Sequence, residues 1–223
     1  MTAVLHYIYD PLCGWCYGAE PLVTVATQIE GLELALHAGG LWPEPTHLPP
    51  ETRRYIRQAD ARIASMSGQP FGEAYLEDLL LDPTMVLDSR PPIAAILVAQ
   101  SLAPDKALPM LRAIQRAHYV EGRRVVKTEV LRDVAIACGL DRVSFETALG
   151  TARPEEHIAE TQRLMQQVGA GGFPTFVLEI DGRLFGVPHQ HYAGDPAGFR
   201  GWLEQEKGAI NAHSTTPRTR RAQ

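Results

Sequence analysis

The sequence predicts an α/β protein: a mixed central sheet with helices on its faces, interrupted by an inserted all-helical domain. Three observations predict it. Residues 4–38 read as strand, helix and strand. Residues 46–150 carry helical periodicity and no strand pattern of any strength. Residues 154–187 read as a helix followed by a β-hairpin. A chain of 223 residues that is 45% hydrophobic is globular and long enough to bury a substantial core.

The first strand is Val4-Leu5-His6-Tyr7-Ile8-Tyr9, rich in β-branched and aromatic residues, and Asp10-Pro11 breaks it. Ala19, Leu22, Val23, Ala26 and Ile29 then recur at helical spacing, and Gly31 ends that helix. Glu33 to Ala38 alternates as a second strand, so the crossover makes the two strands parallel. Gly39-Gly40-Leu41-Trp42-Pro43 leaves this strand at the carboxyl edge of the sheet, where ligands of open α/β sheets gather.

Past a proline-rich stretch, Pro43–Pro50, Tyr55, Ile56, Ala59, Ile63 and Met66 mark a helix that Gly68-Gln69-Pro70 stops. Phe71–Leu81 gives a short apolar face, and Asp88-Ser89 caps a helix with Pro91-Pro92 in its first turn. Further helices run from about Asp105 to Val120, from Thr128 to Ala137, and from Asp141 to Leu149. Pro154 opens one more, ended by Gly169 to Gly172. Thr175–Ile180 is a strong strand, Asp181-Gly182 a two-residue turn, and Arg183–Val187 its partner. Asp195-Pro196 starts a terminal helix. The outer parts, residues 1–45 and 154–207, make the sheet domain; residues 46–153 make the insertion; residues 208–223 read as a disordered tail.

Composition narrows the function. The net charge is −5 with no long basic run, which argues against a nucleic-acid surface. The longest apolar run, Ile93–Ala99, falls far short of the ~20 residues that span a bilayer. Met1-Thr2-Ala3 lacks the positive start of a secretory signal, so the chain is expected to stay in the cytoplasm. Three cysteines are too few for a disulfide scaffold.

Two of those cysteines carry the chemistry. Cys13 and Cys16 stand in Asp10-Pro11-Leu12-Cys13-Gly14-Trp15-Cys16, between the first strand and the first helix. Residues i and i+3 of a first helical turn are close enough to share a disulfide. Unpaired amides and the positive end of the helix dipole favour a thiolate at Cys13. Cys16, deeper in the helix, suits a resolving thiol. Thiol–disulfide exchange needs these two parts. A structural zinc site needs four ligands, and only Cys138 remains, with no second CxxC and no histidine pair at finger spacing; no metal is expected. Cys138 reads as a buried small hydrophobe. His6 and His37 read as satisfied core histidines, and His189 and His191 lack a third ligand.

The order of elements, with Tyr9-Asp10-Pro11 before Cys13-Gly14-Trp15-Cys16, Gly39-Gly40, Tyr119 to Arg123, and Gly172-Phe173-Pro174-Thr175 about 160 residues later, resembles the DsbA-like family of the thioredoxin fold. Within it the chain is similar to the FrnE-like, predicted protein-disulfide isomerase branch. The resemblance implies a thiol–disulfide oxidoreductase or isomerase, with Cys13 as nucleophile, Cys16 as its partner and Pro174 in the cis form beside them. Gly14, Trp15, Trp42, Phe173 and Thr175 are then candidate substrate-binding residues. The family's periplasmic oxidants carry Pro-His between their cysteines and an acid six residues before the first. Here Gly14-Trp15 and Tyr7 stand in those places, so strongly oxidising character does not carry over. Asp10 and His118 are second-layer candidates. The redox pair serves as the reactive group without a further cofactor, glutathione being a candidate co-substrate. Partners are thiol- or disulfide-containing proteins and peptides, with thioredoxin or glutathione as candidate electron donor. Two other readings use the same sequence: a glutathione-dependent transferase or isomerase of the kappa-class type, whose members usually carry serine at the Cys13 position, and a non-enzymatic partner-binding module.

Overall fold

The computed structural model describes residues 3–214, with side chains described to residue 208. A four-stranded sheet of order β2-β1-β5-β6 is its centre. β1 (Ala3–Tyr9) lies parallel to β2 (Leu32–Ala38), in register from Ala3↔Leu32 to Tyr9↔Ala38. β5 (Thr175–Ile180) runs antiparallel to β1, with Tyr7 opposite Phe176, and β6 (Arg183–Gly186) closes the hairpin. One face of β1 presents Leu5, Tyr7 and Tyr9, all buried, as the two-residue period of a strand requires. Tyr7 stacks on Phe176 with ring centroids 4.7 Å apart. The other face carries His6, which bonds His37 of β2 (2.9 Å) and Glu179 of β5 (2.8 Å). Both histidines are thus partnered across the sheet.

The helix after β1 departs from the sequence reading. In place of one helix to Ile29 there are two, α1 (Gly14–Gly18) and α2 (Glu20–Ala26), meeting at Ala19. Pro21 is the cause: it has no N–H for the carbonyl of Tyr17 and sits instead in the first turn of α2.

The insertion holds α3 (Pro50–Ser67), a π-helical turn (Ala74–Leu79), α4 (Arg90–Leu102), α5 (Ala107–Tyr119), α6 (Thr128–Ala137) and α7 (Arg142–Thr151). It is not wholly helical. β3 (Thr46–His47) pairs with β4 (Val86–Leu87), a ladder too short to leave a periodic pattern in sequence. Asp141 caps α7 by accepting the Ser144 N–H at 2.9 Å. Cys138 caps the end of α6 and is half-buried, its Sγ 3.8 Å from the Pro109 carbonyl, rather than sunk in the apolar face.

α8 (Pro154–Val168) returns the chain to the sheet, and His157 Nε2 accepts the Ala38 N–H at 3.0 Å. α9 (Pro196–Ser214) packs on α2. It runs past residue 208, where a disordered tail was expected, because a helix once nucleated adds one bond per residue fixed. The rest of that tail lies outside the described residues.

Candidate active site

Both cysteines are free thiols at the carboxyl end of β1. Cys13 is the N-cap of α1, with extended backbone, and its Sγ accepts the Cys16 N–H at 3.3 Å. A capping side chain normally offers oxygen to this amide; here sulfur takes the place, so the nucleophile is held by one of the amides it would use as a thiolate. Cys13 Sγ lies 3.8 Å from the Phe173 carbonyl. The Phe173–Pro174 bond is cis.

Cys16 is fully buried. Burial, and then the neighbouring Cys13 sulfur, raise its thiol well above the ordinary range, so it stays protonated. The Asp10 amide lies 3.5 Å from its sulfur, and the Tyr7 hydroxyl donates to its carbonyl at 3.0 Å. The pair is therefore asymmetric: Cys13, 5% exposed, lines a cavity, and Cys16 is sealed behind it.

Asp10 has no exposed surface. Burial raises its carboxyl pKa, while hydrogen bonds to Leu41, Leu12 and Ser89 oppose the rise. Its oxygens accept the Leu12 N–H (2.8 Å) and the Leu41 N–H (2.7 Å). Asp10 thus ties the cysteine loop to the loop after β2, and its carboxylate is fully engaged there. Ser89 extends the tie by accepting the Trp42 N–H at 3.0 Å and donating its own amide to the Trp42 carbonyl at 2.9 Å.

Two concavities lie near the pair, and Cys13 lines the smaller. A groove of about 530 Å³ runs along Trp15, Phe173 and Pro174, with Arg62, Ser67 and His189 as polar lining. A smaller cavity of about 190 Å³ is lined by Cys13, Gly14, Trp15 and Trp42, by Leu12 and Leu41, and by groups of the insertion that are apolar or aromatic except for Asp60. Trp15, 40% exposed, separates the two, with the Arg62 guanidinium 5.9 Å from its ring. Gly39 admits the Phe173 ring, which a Cβ there would meet at 2.3 Å.

Two of the sequence candidates sit elsewhere. His118 is buried behind Tyr119, edge-on to its ring at 4.7 Å, and lines a separate small void with Leu12 and Leu79. Desolvation lowers its pKa to about 4, so the ring is neutral. Its helix phase turns it one residue away from the cavity that Tyr119 lines. Thr175 directs its hydroxyl to the Gly172 carbonyl at 2.8 Å, fixing the turn before β5, and lines neither concavity at Cys13.

The insertion supplies site residues that sequence reasoning passed over. Asp60, Ile63, Tyr75 and Tyr119 line the smaller cavity. Asp60 is 3% exposed, and its carboxylate accepts the Tyr75 hydroxyl at 2.8 Å. A signal existed: Asp60 falls four residues after Ile56 and three before Ile63, so it is a carboxylate on an apolar stripe. Among the described residues, no group of three His, Cys, Asp or Glu could hold a metal ion, and no helix is long and apolar enough to cross a membrane.

This architecture matches known proteins. The cytosolic disulfide reductase DsbM from Pseudomonas aeruginosa is 45% identical and superposes with a TM-score of 0.83 over 91% of this chain and 98% of that one. DsbM with GSH gives 42% identity and a TM-score of 0.81 over the same shares. A 2-hydroxychromene-2-carboxylate isomerase, 16% identical, shares the fold with a TM-score of 0.61 over 96% of this chain and all of that one. Residues 4–193 match the DSBA-like thioredoxin domain, and with that coverage the chain belongs to the DSBA-like thioredoxin family.

Proposed function

We propose that this protein is a thiol–disulfide oxidoreductase working mainly in the reducing direction, with Cys13 attacking the substrate disulfide and Cys16 resolving the mixed disulfide. The observation that carries the roles is the asymmetry of the pair. Cys13 lines the smaller cavity with an amide on its sulfur and lies 3.8 Å from the carbonyl of Phe173, a residue of the larger groove, whereas Cys16 is sealed and protonated. Only the first can meet an incoming disulfide; only an intramolecular partner can reach the second.

The reducing direction rests on similarity to DsbM, described as a cytosolic disulfide reductase. In a glutathione-poised compartment such a pair rests as the dithiol. Glutathione is the co-substrate this reading favours: DsbM has been determined with GSH, and the groove beside Pro174 offers Arg62 and Ser67 to a small charged peptide. Protein and peptide disulfides are the substrates.

The test is a trapping experiment. Cys16→Ser accumulates a mixed disulfide on Cys13 when given a disulfide substrate, and Cys13→Ser accumulates none and loses reductase activity. A Cys13→Ser protein that reduces insulin at the wild-type rate overturns the assignment. Direction is read from the potential of the pair by glutathione titration: a value near or below the cytosolic poise supports a reductase, and a much higher one makes the protein a disulfide donor.

A further inference from the structure

Thiol–disulfide exchange moves a proton at each step. The attacking species is a thiolate, and the leaving sulfur ends as a thiol near neutral pH. The groups nearest the cysteines do not provide for this. Asp10 spends both oxygens on the Leu12 and Leu41 amides. Tyr7 donates to the Cys16 carbonyl, and burial raises its hydroxyl well above its ordinary range. His118 lies behind Tyr119.

Asp60 is differently placed. A Cβ on Gly14, the residue between Cys13 and Trp15, would lie 2.6 Å from Asp60 Oδ1. Among the described residues, Asp60 is also the sole charged one lining the cavity that reaches Cys13. Oδ2 is held by the Tyr75 hydroxyl, and among the described residues no protein donor bonds Oδ1. Of the packed elements, α1 meets Asp60 at Gly14, the π-helical turn bonds it through Tyr75, and Cys13 and, on α5, Tyr119 line the same cavity.

We propose that Asp60 is the acid–base residue of the exchange, taking the proton from a thiol that enters the cavity and returning one to a thiolate that leaves it. When a donor thiol RSH regenerates the enzyme, Asp60 takes its proton. RS⁻ attacks Cys13 Sγ, the R–S–Cys13 bond forms, and the Cys13–Cys16 bond breaks. Cys16 departs with the electron pair, so the net proton passes from RSH to the buried thiol. When the Cys13 thiolate attacks a disulfide R–S–S–R′, the S–R′ sulfur leaves with the electron pair, and Asp60 carboxylic acid protonates it to R′SH. Burial lifts the Asp60 carboxyl to about 6, against the pull of the Tyr75 hydrogen bond, so both protonation states are accessible near neutral pH.

The inference rests on the Cys13 reading and is tested separately from it. The oxidised protein is reduced in stopped flow near neutral pH by two probes: 2-mercaptoethanol, there a thiol, and 2-nitro-5-thiobenzoate, there already a thiolate. Asp60→Asn is expected to slow mercaptoethanol roughly tenfold to a hundredfold, the range of general-base assistance, and to leave thiobenzoate unslowed. Slowing of both by the same factor, or of neither, overturns the proposal. Tyr75→Phe keeps the carboxylate and removes the bond that lowers its pKa, so the acid limb of the mercaptoethanol profile should move to higher pH. An unmoved limb overturns the proposal even if Asp60→Asn fails to fold. Exchange that persists in Cys13→Ser would instead remove the underlying function.

Discussion

Asp10 and His118 show how much a side chain's role depends on which atoms face it. Both stand close in sequence to motif residues, yet one clamps two loops and the other packs behind an aromatic layer. Asp10→Ala strips partners from the buried Leu12 amide and the part-buried Leu41 amide. It should cost about 2–6 kcal/mol, at ~1–3 per unsatisfied group, read as a lower urea midpoint at unchanged slope. His118 makes a pH-dependent contribution with a definite sign. Its pKa of about 4 in the fold lies below the unfolded 6.5. Between those values the unfolded chain binds the extra proton, so stability is lost as pH falls from 6.5 toward 4. The full effect is about 3 kcal/mol, at 1.36 per unit. His118→Phe should flatten the pH dependence of the unfolding free energy in that window and leave the exchange rate as it was. An exchange rate that falls with the histidine would return it to the site.

At the scale of elements, the contact that matters is α1 against α3. Gly14 and Gly18 face the same side chain: a Cβ at Gly18 would meet Ile63 Cγ2 at 2.5 Å, and one at Gly14 would meet Ile63 Cδ1 at 3.2 Å. Tyr17, between them in sequence, stacks on Tyr119 of α5 at 4.9 Å and donates its hydroxyl to the Pro70 carbonyl at 2.8 Å. The insertion is thereby packed directly on the helix that carries the cysteines. Gly18→Ala should destabilise by about 1–3 kcal/mol through overpacking. Gly201→Ala, in open space on α9, should stabilise by roughly 0.5–1 kcal/mol. Thermal unfolding of the two variants side by side checks both signs. Boundaries of the long helices were legible in sequence because their caps are local: Asp141, Pro154 and the left-handed Gly169 mark them. The break at Ala19 was not read, because apolar periodicity continues across it while the hydrogen-bond ladder does not.

For the whole molecule, the two outer segments are one folding unit. β1 lies between β2 and β5, so its buried face needs the strand that arrives after the insertion. A fragment ending at residue 153 keeps β1 and β2 but loses the strand against which Tyr7 stacks Phe176, and it leaves an unpaired edge on β1. It should show no cooperative thermal transition, whereas the full chain melts in one. A cooperative melt of the fragment would make the insertion with β1 and β2 an independent domain.

The sequence by itself determined the order of elements, the sheet's two-part construction, the CxxC pair and the Phe173-Pro174 step, because strand alternation, helix caps, turn residues and cysteine spacing are local properties of the chain. Tertiary structure alone decided which side chains of the insertion meet the cysteines. Asp60 stands 44 residues beyond Cys16 in the chain and comes to lie against Gly14 only because α3 docks through Ile63 on the two glycines of α1. The same docking buries its carboxylate, and burial is what moves its proton affinity toward neutrality. A periodic pattern shows that a residue faces inward; the chemistry of what it faces depends on how separate elements pack.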